Sequence, residues 1–208
     1  MPDIPDDPFF DTTDDIEMQT GGNLPHWHQN GKIQYVTFRL ADSLPQKKSR
    51  ELKELSENFE RHNPKPWDEA TKLKYSKLIS PAKERLLHNG YGRCVLKNAD
   101  CRRILSESIR NFDGIRYKVI AYVIMPNHVH LLIQPYGDTK IENIMHSIKR
   151  YSARRINEML GVSGTLWLKE SHDRLVRSED HLKHCVIYIR NNPRNFPSED
   201  FELYLGGW

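Results

Sequence analysis

The sequence predicts an α+β fold in which helices pack against an antiparallel sheet. Two segments rich in β-branched and aromatic residues, 115–125 and 128–134, are separated by only two residues. Strands that are joined so tightly pair in the antiparallel direction. The long segment 139–160 repeats its apolar residues with the period of an amphipathic helix, which supplies a helix to cover one face of the sheet.

Four segments are predicted as strands. Residues 32–40 alternate between two faces and carry the β-branched and aromatic residues that favour an extended backbone. Residues 115–125 and 128–134 are dominated by Tyr, Val, Ile and Leu, and Pro126–Asn127 interrupts them. A further short strand is predicted at residues 172–176.

Three segments are predicted as the helices that cover the sheet, at residues 98–112, 139–160 and 178–191. Thr139 and Glu142 match the spacing of a capping box, in which the two side chains satisfy free backbone amides at a helix start. The resulting order is strand, helix, strand, strand, helix, strand, helix. That order is close to a split βαβ arrangement.

A charged helical pair is predicted as an insertion at residues 46–91. Residues 46–62 and 67–89 are helix-like and heavily charged, with only intermittent apolar residues. Neither helix carries enough apolar surface for a core of its own, so the pair is interpreted as an insertion and not as a domain. Pro81 is expected to break or kink the second helix.

The chain is divided into a leader, one domain and a tail. Its 208 residues suit a single domain with its own core. Residues 1–23 are rich in Asp, Pro, Thr and Gly and are interpreted as a flexible acidic leader. The domain is predicted to span residues 24–195, and residues 196–208 are interpreted as a C-terminal tail.

The sequence carries no signal for a membrane or for secretion. No apolar run approaches the roughly 18 residues that a membrane span requires, and the N-terminus lacks the pattern of a secretory signal. No two of the three cysteines are spaced as Cys-x-x-Cys, which argues against a disulfide framework or a cysteine zinc site. We therefore expect a cytoplasmic protein whose cysteines are buried thiols.

Charge is distributed unevenly along the chain. Residues 1–31 contain seven acidic residues and no Lys or Arg, so residues 32–208 hold 31 basic and 21 acidic residues, a formal charge of +10. A body of this charge suits a polyanionic partner such as nucleic acid. The alternative is an ordinary solvated surface, and charge alone does not choose between the two.

His128 and His130 are candidate metal ligands. In a strand, side chains two residues apart project from the same face, with Cα atoms about 6–7 Å apart. Two imidazoles at that spacing can hold one divalent ion. A pair of histidines without a ligand is the alternative, and the His-x-His pattern alone leaves it open.

Tyr188 and Asn192 are candidates for a nucleophile and a neutral oxygen ligand. On a helix they lie about 40° apart, at one edge of the apolar stripe. A tyrosine hydroxyl attacks phosphorus when a base or a nearby cation offsets its high pKa. The alternative is that Tyr188 only packs, and Tyr151 is a lower-ranked rival nucleophile.

Together these motifs resemble those of a known family. Met125-Pro-Asn-His-Val-His-Leu-Leu132 is similar to the HUH signature (His, bulky hydrophobic, His) of single-tyrosine transposases, and Tyr188-Ile-x-x-Asn192-Pro193 is similar to their nucleophile helix. Three further segments resemble the REP-associated tyrosine transposases: Leu24-Pro-His-Trp-His28, Tyr35-Val-Thr-Phe-Arg-Leu-Ala-Asp-Ser-Leu-Pro45 and Trp167-x-x-Glu170-Ser171-x-Asp173-x-x-Val176-Arg177. The resemblance covers residues 24–195.

The resemblance implies a ferredoxin-like, HUH endonuclease fold and a role for each matching residue. His128, His130 and Asn192 would be metal ligands, and Tyr188 would be the nucleophile. The implied ion is Mg²⁺ or Mn²⁺, with Zn²⁺ or Ni²⁺ as adventitious occupants. The implied activity is metal-dependent cleavage and joining of single-stranded DNA, on REP-type hairpins in the bacterial nucleoid, through a 5′-phosphotyrosine intermediate.

The predicted partner is single-stranded or hairpin DNA. Trp27 and Trp167 are candidates for stacking on unpaired bases, with ordinary packing as the alternative. We expect a monomer, with a homodimer as the alternative. The basic residues assigned to phosphate binding are Lys149, Arg150, Arg154, Arg155, Lys169, Arg174, Arg177 and Arg190.

Two other functions remain open at this stage. One is a hairpin-binding regulator that does not cleave DNA, and the other is a metal-dependent hydrolase without a covalent intermediate. The chain departs from the family where Arg194-Asn-Phe-Pro197 follows Asn192-Pro193. The acidic leader and the insertion are interpreted as additions to the minimal catalytic fold.

Overall fold

The computed structural model describes residues 7–11, 13, 17–19 and 26–207. The strands are β1 (Glu17–Gln19), β2 (His26–His28), β3 (Gln34–Arg39), β4 (Tyr117–Ile124), β5 (His128–Pro135), β6 (His172–Leu175) and β7 (Glu202–Leu205). The helices are α1 (Gln46–His62), α2 (Glu69–His88), α3 (Ala99–Arg110), α4 (Ile141–Leu160) and α5 (Glu179–Asn191). Within these residues no helix is long and apolar enough to cross a membrane.

A five-stranded sheet forms the centre of the fold. Its strand order is β6-β3-β5-β4-β7, and every neighbouring pair is antiparallel. The predicted α+β fold with helices around an antiparallel sheet is therefore confirmed. β1 and β2 pair separately as a two-stranded sheet.

The sheet separates two apolar layers. Val129 and Leu131 of β5 face a core that is formed with α3 and α4. Leu132 faces the other core, which is formed with α5. Because side chains alternate along a strand, His128 and His130 lie on the face that α5 covers.

The predicted charged helical pair is also present. α1 and α2 pack on each other through the rings of Phe59, Trp67 and Tyr75, whose centroids are 4.9 to 5.5 Å apart. This aromatic cluster stabilises the free end of the pair. The other end, at the C-terminus of α2, is fixed to the sheet.

The C-terminus of α2 is fixed by two close contacts. Asn127 Nδ2 donates to the backbone carbonyls of Leu87 and Tyr91, each at 3.2 Å. Gly92 has φ +85°, and a Cβ there would stand 2.5 Å from the carbonyl oxygen of Asp42. Only glycine allows both this conformation and this approach. The bonds from Asn127 place the end of α2 directly beside the start of β5.

The predicted break at Pro81 and the predicted capping box at Thr139 are wrong. α2 is continuous through Pro81, which is exposed, so the backbone groups that proline leaves unpaired can bond to water. α4 begins after Lys140, and no side chain caps it. Glu142 is therefore the second residue of the helix and not the third, and the capping box with Thr139 cannot form.

Residues near both ends of the chain pack on the sheet. Ile33 N donates to Pro8 O, and Phe10 N donates to Val176 O, so part of the acidic leader runs along β3 and β6. The predicted domain ends at residue 195, whereas β7 lies beyond that residue and pairs with β4 as an edge strand. Most of the leader lies outside the described residues.

Candidate active site

Two histidines of β5 are buried side by side on the α5 face of the sheet. The rings of His128 and His130 meet edge to face, with centroids 5.0 Å apart, and their exposed fractions are 0% and 1%. Asn127 directs its amide nitrogen to two carbonyls, so its Oδ1 accepts from His128 Nδ1 at 2.8 Å. The Nε2 atom of His128 is then the unprotonated one.

His130 is oriented in the same manner by β3. Its Nδ1 atom is hydrogen-bonded to the hydroxyls of Tyr35 at 2.8 Å and Thr37 at 3.0 Å. Partners on Nδ1 of this kind fix the ring orientation of metal-binding histidines. The Nε2 atoms of both histidines are therefore the positions that remain for a ligand.

A carboxylate from α2 reaches the same point. Glu84 Oε2 lies 3.5 Å from His130 Nε2 and 3.9 Å from His88 Nε2. The first distance is too long for a well-aligned hydrogen bond. Because the end of α2 is held against β5, the predicted insertion contributes directly to this site, which the sequence analysis did not expect.

These three side chains fit a divalent metal site. The ligand atoms of Glu84, His128 and His130 all lie within 4.8 Å of one another. Glu84 Oε2 and the two Nε2 atoms are buried and lack hydrogen-bond partners within the described residues. Unpartnered buried atoms are costly, and a cation between them would remove that cost. Imidazole and carboxylate ligands suit several divalent ions.

The protonation of the cluster also suits a cation. Burial and the neighbouring His130 hold the pKa of His128 well below its usual range, so its ring is neutral. Burial alone would raise the pKa of Glu84, but His130, His128 and a hydrogen bond with Tyr188 lower it to about 2. Ionised carboxylate and neutral imidazole are the forms that bind metals.

Tyr188 of α5 stands next to the cluster. Its ring meets His130 edge to face at 5.3 Å between centroids, and 39% of the residue is exposed. Its hydroxyl is hydrogen-bonded to Glu84, and burial together with that carboxylate raises the pKa of Tyr188, while Arg174 and Asn192 act in the opposite direction. Without a cation in the cluster, the phenol stays protonated.

Asn192 follows Tyr188 by one helical turn and is buried. Its Oδ1 lies 3.3 Å from His88 Nε2, and the His88 ring lies 5.9 Å from that of His128. The structure thus brings His128, His130, Tyr188 and Asn192 to one site. The ligand role of Asn192 stays a prediction.

A comparison with protein families identifies the family of the chain. A family model described as IS200-like transposase matches residues 87–192, which is half of the chain. The chain belongs to the IS200-like transposase family. No curated protein sequence matches it.

Solved structures of transposases are similar to the chain at low sequence identity. One is a REP-associated tyrosine transposase bound to a REP hairpin, with 15% identity and a TM-score of 0.44, covering 83% of this chain and 73% of its own. Another is a candidate transposase from Deinococcus radiodurans R1, with 16% identity and a TM-score of 0.33. That match covers 84% of this chain and 98% of the other.

The basic residues predicted to bind DNA are spread over both faces of this transposase fold. Arg174 lies beside the site, with its guanidinium carbon 4.8 Å from the Tyr35 ring centroid. Lys149 donates to the carbonyl of Lys169 at 2.7 Å and so supports that loop. The remaining three cations of α4, which packs on the opposite face of the sheet, are exposed: Arg150, Arg154 and Arg155.

The other predicted DNA contacts are placed as follows. Arg177 has its guanidinium carbon 5.9 Å from the Phe10 ring centroid, and Arg190 is exposed on α5. Tyr151, the rival nucleophile, is exposed on α4, in a groove between α3 and α4. Since α4 and α5 cover opposite faces of the sheet, Tyr151 is separated from the histidines. The side chain of Trp27 lies outside the described part of the chain.

Trp167 is a core residue, and its predicted role in base stacking is wrong. It is 5% exposed, its ring packs edge to face on Phe38 at 5.0 Å, and its Nε1 donates to Ser152 Oγ at 3.0 Å. A ring buried in this manner has no face left for a nucleotide base.

Replacing Trp167 should therefore affect stability and not DNA contacts. We expect Trp167→Ala to lower the free energy of unfolding by about 3–5 kcal/mol, as for other large core truncations. Urea denaturation followed by circular dichroism measures this change. A variant that unfolds like the wild type but binds DNA weakly would contradict the core assignment.

Glu84 and His88 were not predicted as site residues from the sequence. A signal was present, because an acid and a histidine four residues apart lie on the same face of a helix, a spacing that suits metal ligands. It was overlooked because the segment was interpreted as an insertion outside the catalytic fold. Both residues precede His128 by 40 or more positions, so their place beside it follows only from the docking of α2 on the sheet.

Proposed function

We propose that this chain is a metal-dependent endonuclease and strand transferase for single-stranded DNA, with Tyr188 as its nucleophile. Membership of the transposase family supports DNA processing. The observation that carries the finer proposal is the convergence of three unpartnered buried atoms, from Glu84, His128 and His130, beside the Tyr188 hydroxyl.

Each residue has a chemical role in this proposal. His128, His130 and Glu84 would hold the ion, with Asn192 as a further neutral ligand. When bound, Mg²⁺ or Mn²⁺ would withdraw charge from the scissile phosphate. Hydrogen bonds from Asn127, Tyr35 and Thr37 already hold the two histidine rings in place.

The proposed reaction is an exchange at one phosphodiester. The Tyr188 oxygen forms a bond to phosphorus while the bond from phosphorus to the 3′-oxygen breaks. The products are a 5′-phosphotyrosine and a strand that ends in a 3′-hydroxyl, which gains the proton that the phenol loses. Because the new ester conserves the bond energy, a 3′-hydroxyl can reverse the step and join strands without ATP.

The surroundings of Tyr188 explain why cleavage would depend on the ion. The Glu84 carboxylate raises the pKa of Tyr188, so the phenol is a weak nucleophile in the metal-free site. A cation bound by Glu84 would offset that negative charge, and Arg174 would stabilise the phenolate electrostatically. We further propose that the substrate is hairpin DNA with single-stranded flanks, as the resemblance to REP-associated tyrosine transposases implies. The +10 charge of residues 32–208 suits a polyanion of this kind.

A denaturing gel tests the proposal. The protein is incubated with Mn²⁺ and end-labelled hairpin oligonucleotides drawn from the DNA that flanks its gene. We expect a covalent protein–DNA band. Free cleavage product without any adduct would identify a hydrolase, and binding without cleavage would identify a regulator; either result would overturn the tyrosine mechanism.

The contribution of α2 to metal binding gives a separate prediction. Glu84→Gln removes the one anionic ligand, so we expect the affinity for Mn²⁺ to fall at least about tenfold. Isothermal titration calorimetry of the purified chain measures it. Glu107→Gln makes the same change at an exposed position of α3 and should bind Mn²⁺ like the wild type. Equal affinity in both variants would exclude Glu84 as a ligand.

A further inference from the structure

Two cations border the metal cluster on the side of β3 and α2. Arg39 lies directly opposite His128 in the pairing of β3 with β5, so both side chains project from the same face of the sheet. Lys83 precedes Glu84 on α2, and its positive charge interacts with those of Arg39 and, when protonated, His128. We call Arg39 and Lys83 the basic pair.

The basic pair is partly desolvated and poorly neutralised. Both side chains are half-buried. Arg39 Nη1 donates to the uncharged Ser43 hydroxyl at 2.9 Å. Within the described part of the chain, neither residue forms an ion pair with a carboxylate at 4.0 Å or less.

The carboxylate that acts on Lys83, that of Glu84, already interacts with other residues. Glu84 acts on Lys83, but its carboxylate is oriented toward His130 and Tyr188. With a divalent ion in the cluster, the excess of positive charge around the site would increase further. Like charges held together out of water are unfavourable unless an anion joins them, and such clusters are typical of ligand sites.

We propose that Arg39 and Lys83 together bind a backbone phosphate of the DNA strand at the active site. Arg39 offers a planar fork that matches phosphate oxygens, and Lys83 offers a point charge. The inference rests on the proposed function, because it takes single-stranded DNA as the ligand. It makes α2 part of the substrate surface, in addition to its contribution of Glu84.

The test is the salt dependence of DNA binding by the full chain. The probe is fluorescein-labelled (dT)15, and fluorescence anisotropy is measured at a fixed Mg²⁺ concentration over a series of NaCl concentrations. Lys83→Met keeps the aliphatic stem and removes the charge. We expect it to lower the affinity roughly tenfold and to reduce the slope of log K against log salt by roughly 0.7. Arg39→Met should act similarly.

Matched variants separate charge from folding. Lys77→Met removes a charge from the exposed side of the same helix and should leave the affinity and the slope unchanged. Lys83→Arg keeps the charge and should retain the wild-type slope. The proposal is overturned if Lys83→Met binds like the wild type, or if Lys83→Arg loses as much affinity as Lys83→Met.

The outcome is independent of the cleavage assay. A wild-type chain that forms no adduct, yet binds (dT)15 in a Lys83-dependent manner, would overturn the tyrosine mechanism and support the basic pair. A chain that forms the adduct, and whose binding of (dT)15 does not depend on Lys83, would support the tyrosine mechanism and overturn the basic pair.

Discussion

Tyr188→Phe is expected to abolish DNA cleavage while leaving DNA binding intact. The change removes only the hydroxyl that would form the bond to phosphorus, and the ring still packs against His130. Loss of a nucleophile typically costs on the order of 10⁶-fold in rate, which places the product below detection. A denaturing gel with a labelled hairpin oligonucleotide measures cleavage, and fluorescence anisotropy measures binding.

Tyr151→Phe is the matched control for this experiment. Tyr151 is exposed on α4, which covers the opposite face of the sheet, so its hydroxyl should be dispensable. Normal cleavage by Tyr188→Phe, together with loss of cleavage in Tyr151→Phe, would transfer the nucleophile to the rival tyrosine and invalidate the site as described.

His130→Gln is expected to remove metal binding and, with it, all metal-dependent cleavage. The substitution deletes one of three converging ligand atoms and leaves Tyr35 and Thr37 without their ring partner. The loss of affinity should exceed the roughly 10–100-fold that removal of an outer partner causes. A ligand that binds only the folded state raises the melting temperature. The readout is therefore the rise in melting temperature when Mn²⁺ is added.

A histidine outside the site provides the control. His146 is exposed on α4, and His146→Gln makes the same chemical change away from the cluster. It should keep the full Mn²⁺-induced rise in melting temperature. If His130→Gln keeps that rise as well, the ion binds elsewhere.

The fold was predictable where short-range patterns determine it. β4 and β5 are long, apolar and separated by a tight connection, so their pairing follows from local sequence. The N-termini of α3 and α5 follow from Asn98 and Ser178, whose side chains accept hydrogen bonds from backbone amides. β7 has only four residues and an ordinary composition, and it becomes a strand because β4 has a free edge.

The active site was predictable only in part, because local sequence determines some of its contacts and tertiary packing determines the others. His128 and His130 share a strand, and Tyr188 and Asn192 share a helix, so each pair can be derived from local geometry. Glu84 enters through the docking of α2 on Asn127, which is a long-range contact. The choice of face for α4 and α5 is also a tertiary property, so the sequence could not show that the basic residues of α4 lie on the face of the sheet opposite the histidines.

The most direct test of the account is to locate the residue that becomes attached to DNA. The adduct formed with a labelled hairpin oligonucleotide is digested with nuclease and protease and then analysed by tandem mass spectrometry. The account predicts a nucleotide phosphate on the peptide that contains Tyr188, formed only when Mg²⁺ or Mn²⁺ is present. Attachment at Tyr151 or at any other residue, or cleavage with Tyr188 unmodified throughout, would contradict it.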